Sequence, residues 1–174
     1  MLQARGGTTL YNVMFPVWML WIFPATWLVV LPVNFGIDLL VVVLTLKAMG
    51  VAAVKETAKR AILRVWLFGF VADFVGTALL FLANLVEFPG TLGDWWYDNL
   101  TNAVSFNPFT SIYAFLYVAI CTFVSALSIY WLNRRFGLAK TDLDDAQKKR
   151  LALSLAVFTA PYLFFFPSAW LYGF

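Results

Sequence analysis

Residues 61–88 read AILRVWLFGFVADFVGTALLFLANLVEF, and between Arg64 and Glu87 they hold a single ionisable residue, Asp73. A helix that crosses the hydrocarbon of a bilayer needs about 20 mainly apolar residues. This stretch therefore reads as a membrane-spanning helix, and it predicts that the chain folds in lipid. The composition agrees. Apolar residues make up 63% of the 174-residue chain and charged residues 12%, against about 45–50% and about 25% in soluble domains. A soluble domain of this size leaves too much of its surface in water to hide so much apolar area.

Four further apolar stretches flank this one, at 13–31, 34–50, 111–132 and 145–174. The first two are predicted to form a tight hairpin through Pro32-Val33-Asn34. A re-entrant element is the alternative there, because 34–50 is short and carries Asp38 and Lys47. The apolar run after Arg5 is longer than a signal peptide's about 7–15 residues and no small-x-small site ends it, so it reads as a retained helix. The expected fold is all-α: a single-domain, polytopic integral membrane bundle of about five transmembrane helices.

Charge sets the expected orientation. Lys55, Lys59, Arg60 and Arg64 flank the turn before 61–88, and Arg134, Arg135, Lys140, Lys148, Lys149 and Arg150 lie in or beside the polar loop 133–150. The segment 88–110 has no Lys or Arg and carries Asp94 and Asp98. Short basic loops stay in the cytoplasm. With five helices, the N-terminus is expected inside and the C-terminus outside, in the cell membrane. Within the outer loop, 91–104 reads as an interfacial amphipathic helix, with Thr91 and Asp94 in a capping-box arrangement and Trp95 and Trp96 at headgroup depth. In the inner loop, Thr141-Asp142-Leu143-Asp144 reads as a helix start with acids in its first turn.

Several chemistries are excluded or unsupported. There is no histidine and only one cysteine, Cys121. A Ser-His hydrolase, an intrachain disulfide and a multi-cysteine metal site are thereby ruled out. No phosphate-binding glycine loop or zinc motif is present, and no cofactor is expected. The net charge of +3 follows membrane topology and is not a nucleic-acid footprint.

The chemistry-bearing residues are those at membrane depth. An ionisable group there is costly and tends to face the bundle interior. On 61–88, Gly69, Asp73, Gly76, Thr77, Asn84 and Glu87 fall within an arc of about 100° at about 100° per residue. On 34–50, Asn34, Asp38 and Thr45 share a face, with Asp38 about one turn below the outer surface. One reading is packing: Gly69 and Gly76 admit a neighbouring helix, and Asp73 bonds to a Tyr or Thr across the contact. The other is a polar path running outward from Asp73 past Asn84 to Glu87, with Asp38 beside it. A third places the carboxylates between subunits. Lys47 projects away from Asp38 and reads as a snorkelling residue, so Asp73 has no evident cationic partner. A carboxyl group buried without one is cheaper to hold as the neutral acid, and it can then carry a proton or exchange it for a cation. An aspartyl-protease pair is disfavoured, because Asp38 and Asp73 are offset by roughly 8 Å from helix rise. Pro161 and Pro167 interrupt the last helix and free backbone carbonyls that can line a cavity.

The expected function is non-enzymatic: a small transport or permeation protein, or a subunit of such a complex. An accessory or scaffold subunit is the alternative and a membrane enzyme the third. The expected partners are the lipid bilayer, other membrane proteins or further copies of the chain.

Overall fold

The computed structural model describes residues 16–21 and 24–172. After a 3-10 turn at Val17–Trp21, the chain forms α1 (Pro24–Ala48), α2 (Val54–Leu85), α3 (Thr91–Trp96), a π-helical turn at Tyr97–Thr101 and α4 (Asn102–Phe106). A 3-10 turn at Pro108–Thr110 leads into α5 (Ile112–Leu132), continued by a π-helical turn at Asn133–Gly137. Then follow α6 (Asp145–Phe158), a 3-10 turn at Tyr162–Phe165 and α7 (Ala169–Tyr172). No strand occurs among the described residues.

Among the described residues, three helices are long and apolar enough to cross a membrane: Pro24–Ala48, Val54–Leu85 and Ile112–Gly137. The expected hairpin at Pro32 is not there, because α1 runs straight through it. A helix tolerates an internal proline where tertiary contacts hold it on both sides. Here Trp66 of α2 donates its indole N–H to the Leu31 carbonyl at 3.0 Å, next to the proline. Trp66 also meets Phe35 edge-to-face at 5.9 Å. Residues 13–15 and 22–23 lie outside the described residues.

α1 ends in a Schellman turn. Gly50, at φ +70°, donates to the Lys47 carbonyl, and Val51 donates to the Leu46 carbonyl at 3.1 Å. The left-handed position after a helix suits glycine. The turn reverses the chain so that α2 packs antiparallel on α1. α2 begins at Val54 and ends at Leu85, earlier at both ends than the stretch 61–88. Lys55, Lys59 and Arg60 therefore sit on the helix rather than in a loop. α5 follows the expected 111–132 closely.

The last stretch is not one helix over 145–174. α6 starts with a capping box, in which Asp144 accepts from the Gln147 backbone and the Gln147 side chain accepts from the Asp144 backbone. It stops at Phe158 because Pro161 lacks the N–H that would continue it. The remainder is short turns, and it reaches the opposite end of the bundle, where Phe165 packs on Phe109 and Phe115. There the Ser168 hydroxyl accepts from the Val17 backbone N–H at 2.8 Å. The described chain thus starts and finishes at the same end. What this corrects is the hairpin at Pro32, on which the expectation of five helices with termini on opposite sides rested. Residues 1–15 and 173–174 lie outside the described residues.

At that end, 91–106 forms a cap. Its helix start is Gly90, at φ +67°, and not a Thr91 box. Gly93 packs against the Phe88 carbonyl so closely that a Cβ has no room. Leu100, Ala103 and Val104 are buried with Trp18, Leu80 and Val118 in one half of the core. The other half, at the basic end, is built from Val42, Leu46, Val65, Ile129, Leu151 and Leu155.

The continuity of α1 has a measurable consequence. Proline inside a helix costs about 3 kcal/mol. Pro32→Ala is expected to raise the melting temperature in detergent and leave the helical circular dichroism intact. A lower melting temperature means that residues 32–34 form a turn that needs the proline.

Candidate functional site

Between the two halves of the core lie two carboxylates. Asp38 on α1 is 5% exposed and Asp73 on α2 is 4% exposed. Because α1 is continuous, Asp38 sits in mid-helix and not one turn from an end. It stands level with Gly69, where an added Cβ would lie 3.4 Å from Asp38 Oδ2. Asp73 is one turn further along α2, about 6 Å at about 1.5 Å per residue.

Both carboxylates line one cavity of about 440 Å³, with Asn34, Gly69 and residues from Phe158 to Phe166. The break in α6 makes the facing wall. Pro161 deprives the Val157 carbonyl of its helical donor, and the Tyr162 hydroxyl replaces it at 2.5 Å. The Thr159 hydroxyl donates to the Leu155 carbonyl at 2.8 Å and stands within reach of Asp38. The last residues of α6 border the cavity, so the negative end of its dipole lies there too.

Asp73 is held by α5. The Ser125 hydroxyl donates to the Ala72 carbonyl at 3.0 Å and lies 3.5 Å from Asp73 Oδ1. A serine hydroxyl has one proton, and here the carbonyl takes it. The contact to Asp73 Oδ1 is the longer, second arm of the same donor. Among the described residues, no Lys or Arg lines the cavity. The ion pairs among the described residues, Arg60–Asp142 and Arg134–Asp145, lie elsewhere. Two carboxylates, the Asn34 amide and a helix C-terminus thus border one cavity, and oxygen donors are the groups that hold protons and hard cations.

The other sequence-derived residues divide. Thr77 is buried and donates to the Asp73 backbone carbonyl at 3.0 Å. Gly76 is a close-packing position, where an added Cβ would come 2.7 Å from the Phe164 ring and 3.0 Å from Ser125 Cβ. Asn84 and Glu87 do not join the acidic pair. They border a separate hollow of about 350 Å³ under the 91–106 cap. There Asn84 Oδ1 accepts from Ser105 at 3.2 Å. The expected path from Asp73 to Glu87 is interrupted because Leu80, seven residues on from Asp73, shares its face and is fully buried with Phe164. Sequence reasoning does not single out Ser125 and Thr159 as partners of the carboxylates; the signal for the second is its place just before Pro161.

Comparison with known protein families, with characterised proteins and with solved structures finds no match to this chain. The site is therefore read from its own geometry.

The two glycines should respond differently to alanine. Overpacking a filled core costs about 1–3 kcal/mol, so Gly76→Ala is expected to lower the melting temperature in detergent. Gly69→Ala meets only an ordinary contact, and alanine favours the helix by up to about 1 kcal/mol. It should be neutral or stabilising. Equal effects at both positions would contradict the close approach of Phe164 to Gly76.

Proposed function

We propose that this chain is a multi-pass integral membrane protein that moves a proton or a cation, with Asp38 and Asp73 as its exchange site. The observation that carries the reading is the sharing of one cavity by two buried carboxylates and a broken helix, without a basic residue on its wall among the described residues. In hydrocarbon such an arrangement is expensive, which favours a functional reason for keeping it. Broken helices that aim their ends at a site near mid-membrane are a recurring solution for binding ions.

The rim narrows the substrate. Ile37, Phe158, Tyr162 and Leu163 border the cavity and are exposed on the flank of the bundle. An acidic floor behind an apolar rim suits a cation with an apolar body, such as a protonated amine, that arrives from within the bilayer. Binding it releases a proton from the carboxyl pair, and protonation releases the cation. Asp73, anchored by Ser125, holds the deeper position. Asp38, at the mouth of the α6 break, meets the substrate first.

A second reading rests on Gly76 and Thr77, whose tight burial fits an accessory subunit that uses this face only to pack. Asp73→Asn separates the two. The amide has nearly the same shape and costs less to bury than a charge. The variant is expected to melt like the parent or higher in detergent, and to lose proton-coupled uptake of a fluorescent organic cation in reconstituted vesicles. Unchanged flux in a folded Asp73→Asn variant leaves the packing reading.

The orientation follows from charge. The basic residues of the α1–α2 and α5–α6 connections share one end, which we place in the cytoplasm of the cell. Cys121 is buried and does not compete in labelling. Asp98→Cys should react with a membrane-impermeant maleimide in intact cells, and Asp145→Cys only after lysis. Labelling at position 145 from outside reverses the assignment.

A further inference from the structure

A groove of about 540 Å³ runs between α1 and α2 on the flank away from the acidic cavity. Its α1 wall carries Phe35, Val43 and Lys47, and its α2 wall carries Lys55, Lys59 and Ile62. The walls are apolar, and the stems of three lysines border them toward one end. All three are exposed, and none forms an ion pair among the described residues. Arg60, one position on, turns the other way to Asp142. From Lys47 to Phe35 the groove follows three turns of α1, about 18 Å at about 1.5 Å per residue. One leaflet of hydrocarbon is about 15 Å deep, half of the about 30 Å core.

We propose that this groove is a binding site for one anionic phospholipid, with an acyl chain against Phe35, Val43 and Ile62 and the phosphate among Lys47, Lys55 and Lys59. The argument is complementarity of charge and length. The groove is cationic at one end, apolar for the rest and about one leaflet long. Three unpaired lysines at a helix–helix seam leave a cluster of positive charge that an anionic headgroup neutralises. A zwitterionic headgroup brings its own cation and gains less. The site is independent of the carboxylate pair and stands whether or not the chain transports anything.

Native mass spectrometry of the full chain in detergent tests this, with dioleoyl phosphatidylglycerol and dioleoyl phosphatidylcholine titrated in parallel. One tightly held phosphatidylglycerol per chain is expected, bound at least about tenfold better than phosphatidylcholine. Lys47→Gln, Lys55→Gln and Lys59→Gln together should reduce that preference to within about twofold; each single substitution reads part of the loss should the triple variant not fold. Val43→Trp fills the groove and keeps the lysines, so it should remove the tight adduct. Equal binding of the two lipids by the parent overturns the proposal. So does a preference that survives the triple substitution, an adduct that survives Val43→Trp, or a groove occupied by a second copy, seen as a dimer without lipid.

Discussion

A backbone carbonyl that loses its helical donor in an apolar medium must find another, at a cost of several kcal/mol if it does not. Much of this structure is arranged around that constraint. Pro108 has no N–H to give the Val104 carbonyl, and the Trp18 indole supplies one at 3.1 Å from 86 residues away. Pro161 cannot serve the Val157 carbonyl, and the Tyr162 hydroxyl does. At the end of α2 the Ala83 carbonyl accepts from both Trp96 and Thr101. These side chains are large and their burial contributes separately, but the hydrogen bonds decide where they go. Trp18 ties the start of the described chain to the cap over residues 91–106, and Trp96 ties that cap to α2.

The same constraint creates the site. If α6 continued past Phe158 as a regular helix, its face would seal against α1 and α2 and leave no room beside Asp38 and Asp73. Pro161 ends it, and the cavity occupies the gap. Burying each carboxylate at mid-membrane costs about 2.5–3.5 kcal/mol on insertion scales, so the pair costs about 5–7. Total stabilities are about 5–15 kcal/mol. A chain under selection for stability alone would lose one of these acids to a Leu or an Asn. That magnitude, more than any single contact, favours a functional reading of the pair.

The parts of the fold legible in the sequence are those where one local signal had no competitor. α5 is bounded by Pro108 and Arg134 and is apolar between them, so its limits were plain. Asp38 and Asp73 stood out because few acids lie in apolar surroundings. Proline more often ends a helix than sits inside one, which is why Pro32 reads as a turn; in the fold Trp66 of another helix braces α1 at Leu31 and Phe35, on either side of it. Asn84 and Glu87 lie in the same angular sector as Asp73, but about three turns further along α2 and, for Glu87, beyond its end. They share its face, but Leu80 does too, and one buried leucine closes the path. The join of Asp38 to Asp73, and of Asp73 to Ser125, is tertiary. No spacing along the chain encodes the packing of α5 on α2, although Gly76 marks where it is closest.

Charge is divided along the bundle in a way that stability does not require. Every Lys and Arg among the described residues lies at or toward the end where α1 meets α2 and α5 meets α6, and the opposite end carries Glu87, Asp94 and Asp98. The two ion pairs at the basic end are exposed, and pairs of that kind contribute about 0–1 kcal/mol. They pin residues 134–145 near α2 and α5 but cannot explain so many cations in so small an area. An orienting role can, since it depends on the number of positive charges near a membrane edge and not on their partners. A headgroup-binding role needs in addition that some of them stay unpaired and share one groove, and Lys47, Lys55 and Lys59 border one groove without an ion pair among the described residues. The two roles ask for different geometry: orientation depends on the number of charges, and headgroup binding on those without carboxylate partners.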